Sequence, residues 1–184
     1  ASLRRNYLEE IKKCGDLLYR KNQFWEFIPS SGNLRTEQLL AKALGFVDRT
    51  GKEETAFIRK QGGAWLVNIT KPSNFDMLET EGKKSLDKQL DAMIERKYKF
   101  INYNGLRRDR FRDMTNNYET NIFDDAVVII DEAHNIVSRI VNKINKLSKR
   151  KEKEIDEKLG FDKPIPIVLA LQLYEFLLRA KKCR

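Results

Sequence analysis

Ala126-Val127-Val128-Ile129-Ile130-Asp131-Glu132-Ala133-His134 is the stretch on which the fold turns. Five apolar residues, four of them β-branched, run without a polar interruption. That pattern suits a strand covered on both faces, the usual situation in a parallel sheet. In open α/β sheets the ligand crevice lies outside the carboxyl ends of the strands, so Asp131 and Glu132 are expected to leave the apolar layer together at a binding site. Mg²⁺ keeps much of its water and takes hard oxygen ligands, which suits Asp131 as a water-mediated metal ligand. Glu132, one residue further on, is placed to orient and deprotonate a water. His134 is the chain's only histidine and can donate and accept through its two ring nitrogens. The alternative is capping, since acids are also favoured at a helix N-terminus.

Working outward, Ile136, Val137, Ile140, Val141, Ile144 and Leu147 form a helical stripe expected to pack on the sheet. Upstream, Tyr98, Phe100 and Asn102 alternate with Ile101 and Tyr103, which predicts a strand, and a helix is expected to link it to the next strand across the polar stretch 114–125. Leu86, Leu90, Met93 and Ile94 mark an amphipathic helix, and AWLVN (64–68), after Gly62 and Gly63, reads as a strand. Short helices are expected at 36–44 and 53–60, and a loop around Pro72 at 69–76. Leu3, Tyr7, Leu8 and Ile11 repeat at helical spacing after a Ser2 cap, and Gly15 is placed to end that helix. Phe24, Trp25 and Phe27 are read as core or interface packing. The last helix spans roughly 165–181 and is expected to be largely buried. Strands alternating with helices indicate a layered α/β fold with a mainly parallel sheet.

At 184 residues and 41% hydrophobic, the chain can bury a core of one domain or part of one. Cys14 and Cys183 make neither a disulfide framework nor a metal cluster, which suits a reducing, intracellular setting. The apolar run at 165–171 contains Pro166 and is too short to cross a bilayer, and the start does not resemble a secretion signal. A net charge of +9 favours a polyanionic partner, DNA or RNA, because cations that neutralise phosphates release counterions. The candidate patch is Arg107, Arg108, Arg110 and Arg112, with Tyr103 and Asn104 just before it; an ordinary solubilising surface helix would look the same. The mixed charges of 146–158 read as a solvated helix end or linker.

VVIIDEAHN (127–135) resembles motif II, the Walker B segment, of the DEAH-type superfamily 2 helicases and translocases. ASLRRNYLEEI (1–11) resembles their motif Ia segment, FINYNGL (100–106) the strand and turn before motif II, and LALQLYEFLLRAKKCR (169–184) the helix that leads into motif III. Taken together the chain is most similar to helicase-like ATPases of nucleocytoplasmic large DNA viruses. The resemblance implies an incomplete RecA-like three-layer domain, the first of two, with 16–84 as a partly helical insertion. It also implies ATP and Mg²⁺ as cofactors. Asp131 would hold the metal through water, Asp131 and Glu132 would face the nucleotide, Glu132 would activate water and His134 would couple hydrolysis to movement. Implied partners are DNA or RNA and a second RecA-like domain of the same parent, with no membrane; the setting would be cytoplasm, viral factory or virion.

A phosphate-binding loop needs G-x-x-x-x-G-K-[ST], so that backbone amides wrap the phosphates and the lysine and hydroxyl complete the site. GFVDRTGKE (45–53) has one residue too many between its glycines and Glu53 where Ser or Thr is required. The expectation is therefore a segment lying between motif I and motif III of a longer protein, inactive alone. Two alternatives stay open: a non-catalytic nucleic-acid-binding or scaffolding protein on a degenerate ATPase fold, and a viral transcription ATPase.

Overall fold

A computed structural model describes residues 2–48, 50–156 and 169–184. The chain divides into two compact units, Ala1–Phe100 and Ile101–Arg184.

In the first unit, α1 (Ser2–Cys14), α2 (Leu34–Ala43), α3 (Ala56–Gln61) and α4 (Thr80–Lys97) surround a hairpin of β1 (Phe24–Pro29) and β2 (Gly63–Asn68). Ser2 is the first helical residue rather than the cap. Gly15 ends α1 as expected: a Cβ there would stand 2.5 Å from the Ile11 carbonyl oxygen. The Asn33 side chain caps α2 by accepting from the amides of Arg35 and Thr36. At its far end, Gly45 at φ +71 lets the chain turn back so that Phe46 N–H reaches the Ala41 carbonyl. The amphipathic helix is α4, which buries Leu86, Gln89, Leu90, Met93 and Ile94 on one face. These pack with Trp25, Leu40, Phe46, Ile58 and Trp65 in a single core.

β1 and β2 pair antiparallel, with Trp25 opposite Val67 and Phe27 opposite Trp65. The parallel sheet expected from sequence is not found among the described residues; their one sheet is this two-stranded antiparallel hairpin. AWLVN does lie in a strand, whereas β1 was hidden in sequence by its aromatic density. A lone two-stranded ribbon exposes two rows of backbone groups. Here a side-chain amide covers one residue on each edge. Gln89, from α4, accepts from Trp65 N–H at 2.8 Å and donates to Trp65 C=O at 2.8 Å. Asn74, from the loop after β2, accepts from Trp25 N–H at 2.8 Å and donates to Trp25 C=O at 2.9 Å. Each amide thus offers the donor and acceptor that a neighbouring strand would supply.

A buried cation joins α1 to α4. The Lys12 side chain is fully buried, and its Nζ lies 2.8 Å from Glu9, 2.8 Å from Asp87 and 2.7 Å from Asp91. Lys21 reaches Glu9 and Asp87 from the loop before β1. Burial opposes the charge on Lys12, yet hydrogen bonds to Asp87, Asp91 and Glu9 prevail and raise its pKa well above the ordinary lysine value. A second tie is Glu37, buried in α2, held by the exposed Arg59 of α3 through both carboxylate oxygens.

The second unit contains α5 (Arg108–Met114), α6 (Ala133–Asp156) and α7 (Leu169–Arg179), and no strand is formed among its described residues. Phe111, Phe123, Ile136, Ile140 and Leu173 form its core. Phe111 stacks edge-on against Phe176, with Tyr118 beside both. The expected strand over 98–103 is irregular chain with a turn at 102–105. The helix expected in the connection to 126 is α5, but it stops at Met114 instead of running across 114–125: Asn116, Asn117 and Tyr118 make a left-handed turn at φ 47°, 55° and 69°. Asparagine tolerates this region better than most residues. Buried Thr115 anchors the turn, its hydroxyl bonding the Phe111 carbonyl and accepting from Tyr118 N–H.

The largest departure from expectation is at 126–130. The stretch is not part of a sheet, and Val127 is 72% and Ile129 88% exposed rather than buried. An apolar run signals that both faces call for cover, but it cannot itself supply the neighbouring strands. Two bonds begin such a pairing: Arg184 N–H donates to the Ala126 carbonyl at 3.0 Å, and Val128 N–H donates to the Arg184 carbonyl at 2.8 Å. Both partners of Arg184 flank one residue, Val127, which is the slanted pattern of a parallel pair. The helical stripe after His134 is real, but α6 buries Ile136 and Ile140 among helices rather than on a sheet, while Val137, Val141 and Ile144 stay exposed. Residues 146–156 continue α6 instead of forming a linker. The last helix begins no earlier than Leu169 among the described residues, and 165–168 lie outside them.

Candidate functional site

Asp131 and Glu132 occupy the two-residue turn between the extended apolar run and α6. Glu132 sits at φ +52, a left-handed conformation uncommon for a residue other than glycine or asparagine. The turn is held through its carbonyls. The Tyr103 hydroxyl lies 2.9 Å from the Glu132 carbonyl oxygen and 3.1 Å from that of Asp131, with a single proton to share between them. Asn135 N–H also donates to the Glu132 carbonyl, closing the first turn of α6.

Both acids are exposed. The Glu132 carboxylate lies 3.2 Å from His134 Nδ1, both groups being largely solvated. Asp131 and Glu132 thus share one backbone turn, and His134 is brought to Glu132. Among the described residues, no group of three or more His, Cys, Asp or Glu stands close enough to hold a metal. One carboxylate with retained water is a donor set that Mg²⁺ accepts, provided that phosphate oxygens complete its shell. Asp131 and Glu132 by themselves therefore complete neither a metal shell nor a triphosphate site among the described residues.

In the glycine-containing stretch 45–53 the donors that a phosphate would need already have an acceptor among the described residues. The Asp48 carboxylate fills this loop, accepting from the Thr50 amide and hydroxyl and from the Lys52 amide. Those bonds, the Thr50 hydroxyl first, draw the Asp48 pKa below the usual carboxylate range.

The nucleic-acid candidates divide. Tyr103 is engaged by the acid-bearing turn, while Asn104 is exposed in the turn at 102–105. Arg107 precedes α5 and lies 3.9 Å from Asp109. Arg108, Arg110 and Arg112 are exposed on α5, a helix anchored by fully buried Phe111.

Sequence reasoning passed over Asn121, Asp124 and Asp125. Asn121 donates to the Phe176 carbonyl at 2.7 Å and accepts from Phe123 N–H. The Asp124 carboxylate accepts from Lys181 N–H at 2.7 Å, and Asp125 N–H donates to the Lys181 carbonyl at 2.9 Å. Together they fasten the approach to the acids onto the end of α7. Their only sequence signal is a tendency to local turns, which carries no information on distant partners.

Compared with protein-family models, curated proteins and solved structures, the chain matches none.

Proposed function

We propose that this chain carries motif II of a DEAH-type superfamily 2 ATPase and is a segment of an ATP-dependent nucleic-acid helicase or translocase. The observation that carries the proposal is the pairing at Val127, where bonds to Arg184 have parallel character just before Asp131 and Glu132. In a parallel α/β sheet, acids at the carboxyl end of such a strand face the ligand crevice. In this reading Asp131 holds Mg²⁺ through water, Glu132 orients the attacking water, and His134, already beside Glu132, couples that carboxylate to movement. Tyr103 is a positioning residue, because its hydroxyl holds the backbone of both acids. A bound Mg²⁺–ATP would supply the phosphoryl group; the chain's own residues supply one metal-facing carboxylate and one base.

The RecA-like, mainly parallel sheet belongs to this proposal, as does a role for 16–84 as an insertion. So do DNA or RNA as partner and a viral or cytoplasmic setting. Net charge and the exposed arginines of α5 support a polyanionic partner. Residues 1–184 contain no G-x-x-x-x-G-K-[ST] stretch, so these residues alone should not hydrolyse ATP.

The test has two parts. The reading frame should carry G-x-x-x-x-G-K-[ST] upstream of Ala1 and a motif III-like segment downstream of Arg184. The protein encoded by that frame should hydrolyse ATP, and Glu132→Gln should abolish turnover while leaving nucleotide binding intact. A complete frame lacking both segments, with salt-dependent nucleic-acid binding indifferent to ATP, would instead establish the scaffolding alternative.

A further inference from the structure

FINYNGL (100–106) contains the chain's one asparagine followed by glycine, Asn104–Gly105; every other asparagine precedes a residue with a side chain. The pair sits in the turn at 102–105, where Asn102, Asn104 and Gly105 are all exposed. Its neighbours Tyr103 and Leu106 pack against the second core, so the pair itself forms a solvated tip between two anchors. An asparagine side-chain carbonyl lies within reach of the next residue's backbone nitrogen, and attack there closes a five-membered ring. A following side chain shields that nitrogen, and a well-held backbone keeps it away from the carbonyl.

Both restraints are weak here. Gly105 has no Cβ to shield its nitrogen. Its N–H donates to the Asn102 carbonyl at 3.2 Å, the long end of the usual range, in an exposed turn of the kind that opens locally. The side chains of Asn33, Asn68, Asn74 and Asn121 are all engaged as acceptors or donors. The Asn104 carboxamide has no hydrogen bond among the described residues, so it is free to turn towards Gly105.

We propose that Asn104 is a site of spontaneous deamidation whose isoaspartyl product loosens the acid-bearing turn at 131–132. The Gly105 nitrogen gives its proton to solvent base and bonds to Asn104 Cγ; the Cγ–Nδ2 bond breaks, and ammonia leaves with a proton taken from water. Water then opens the succinimide. Opening at Cγ leaves aspartate, and opening at the main-chain carbonyl leaves isoaspartate; water is the co-reactant of either path. Isoaspartate lengthens the main chain by one carbon, about 1.5 Å, directly after Tyr103. That residue's hydroxyl lies on the Glu132 and Asp131 carbonyls, so the added carbon acts on the hold that fixes the turn. The proposal is independent of the ATPase reading.

The full chain is aged at mildly alkaline pH and body temperature in heavy-oxygen water, then digested in ordinary water and mapped by mass spectrometry. Solvent oxygen should enter at Asn104 before any other asparagine, as a mixture of aspartate and isoaspartate. Gly105→Ala should lower incorporation to the level of the other asparagines. The fold accommodates that change, because the added Cβ meets only Asn102 Nδ2 at 3.6 Å and Cγ at 3.9 Å, ordinary contacts. In the isoaspartyl fraction, hydrogen exchange at the Asn135 amide, which donates to the Glu132 carbonyl, should run about two- to tenfold faster, the range for losing one hydrogen bond. Aged Gly105→Ala should show no such change, nor should Asn104→Asp, which adds the charge without the extra carbon. The proposal is overturned if Asn104 takes up no more oxygen than other asparagines, or if Gly105→Ala modifies as fast as the parent. Unchanged exchange in the isoaspartyl fraction, or an equal change in Asn104→Asp, overturns it too.

Discussion

Replacing Gln89 with methionine keeps the length and flexibility of the side chain and removes both of its hydrogen bonds to Trp65. Gln89 is wholly buried and Trp65 nearly so, leaving no route for water to take over. The Trp65 N–H and C=O would both be orphaned, at about 1–3 kcal/mol each. The thioether recovers about 1 kcal/mol of apolar burial, so a net loss of about 1–5 kcal/mol, centred near 3 kcal/mol, is expected. For a unit of this size each kcal/mol lowers the melting temperature by about 4–8 °C, which puts the central expected drop at about 10–25 °C. Because both tryptophans lie in the first unit, thermal unfolding followed by tryptophan emission reports that unit alone. Asn74→Leu serves as comparator: Asn74 is only part-buried, water can replace its bonds to Trp25, and the cost should stay near 1–2 kcal/mol. A Gln89→Met protein melting within about 3 °C of the parent, or less perturbed than Asn74→Leu, would refute the view that the hairpin depends on side-chain closure of its edges.

Lys12→Met should cost about 2–3 kcal/mol at neutral pH, less than for a fully buried pair because its three carboxylate partners are part-exposed; urea unfolding measures it. Glu9 is held below its ordinary pKa, first by Lys12; Asp87 is too, where bonds to Lys12 and Lys21 outweigh burial. Depressed acids stabilise above their unfolded pKa values near 4 and lose that contribution as pH falls through the lower folded values, whereas the raised Lys12 contributes throughout that range and is lost only above about pH 10. The gap in stability between parent and Lys12→Met should therefore be full from about pH 5 to 9 and shrink below about pH 4, which a pH series of the same urea curves resolves. Glu132→Gly should relieve the left-handed backbone and leave the turn as stable or up to about 1 kcal/mol more so, while Glu132→Val should weaken it by a similar amount; hydrogen exchange across 128–140 reads both. If α5 meets DNA phosphates, each of Arg108→Ala and Arg110→Ala should flatten the slope of log affinity against log salt by about 0.9 in fluorescence anisotropy; an unchanged slope would return α5 to an ordinary solvated helix.

What sequence made visible was periodicity. The face of α4, the helical stripe after His134, the stop at Gly15 and the strand at AWLVN all follow from local spacing and backbone preference. What it could not show was pairing. Ala126–Ile130 has the composition of a central strand, but hydrogen-bond partners for such a strand come from distant segments, and Arg184 supplies two bonds only. β1 was obscured because Phe24, Trp25 and Phe27 look like core regardless of the secondary structure that carries them. The left-handed turn at Asn116–Tyr118 was likewise hidden, since three consecutive residues in that region are rarely expected. At the candidate site, the acids and His134 were legible as residue types, while the hold of Tyr103 on their carbonyls, across 28 residues or more, was not.

The fastening of residues 121–128 to residues 176–184 has a bearing on the order of events during synthesis. Asn121, Asp124, Asp125, Ala126 and Val128 all take hydrogen-bond partners more than fifty residues later in the chain. Contacts at that separation close late, because the intervening loop must lose its freedom before they form. On a ribosome emitting the chain from its N-terminus, the first unit can complete its edges and its charge cluster while the acids at 131 and 132 are still waiting for their approach to be tied down. A nascent chain in which the acid-bearing turn has emerged and residues 176–184 have not should therefore protect Trp65 and leave that turn open to protease, so that the turn is tied down only once those later residues arrive.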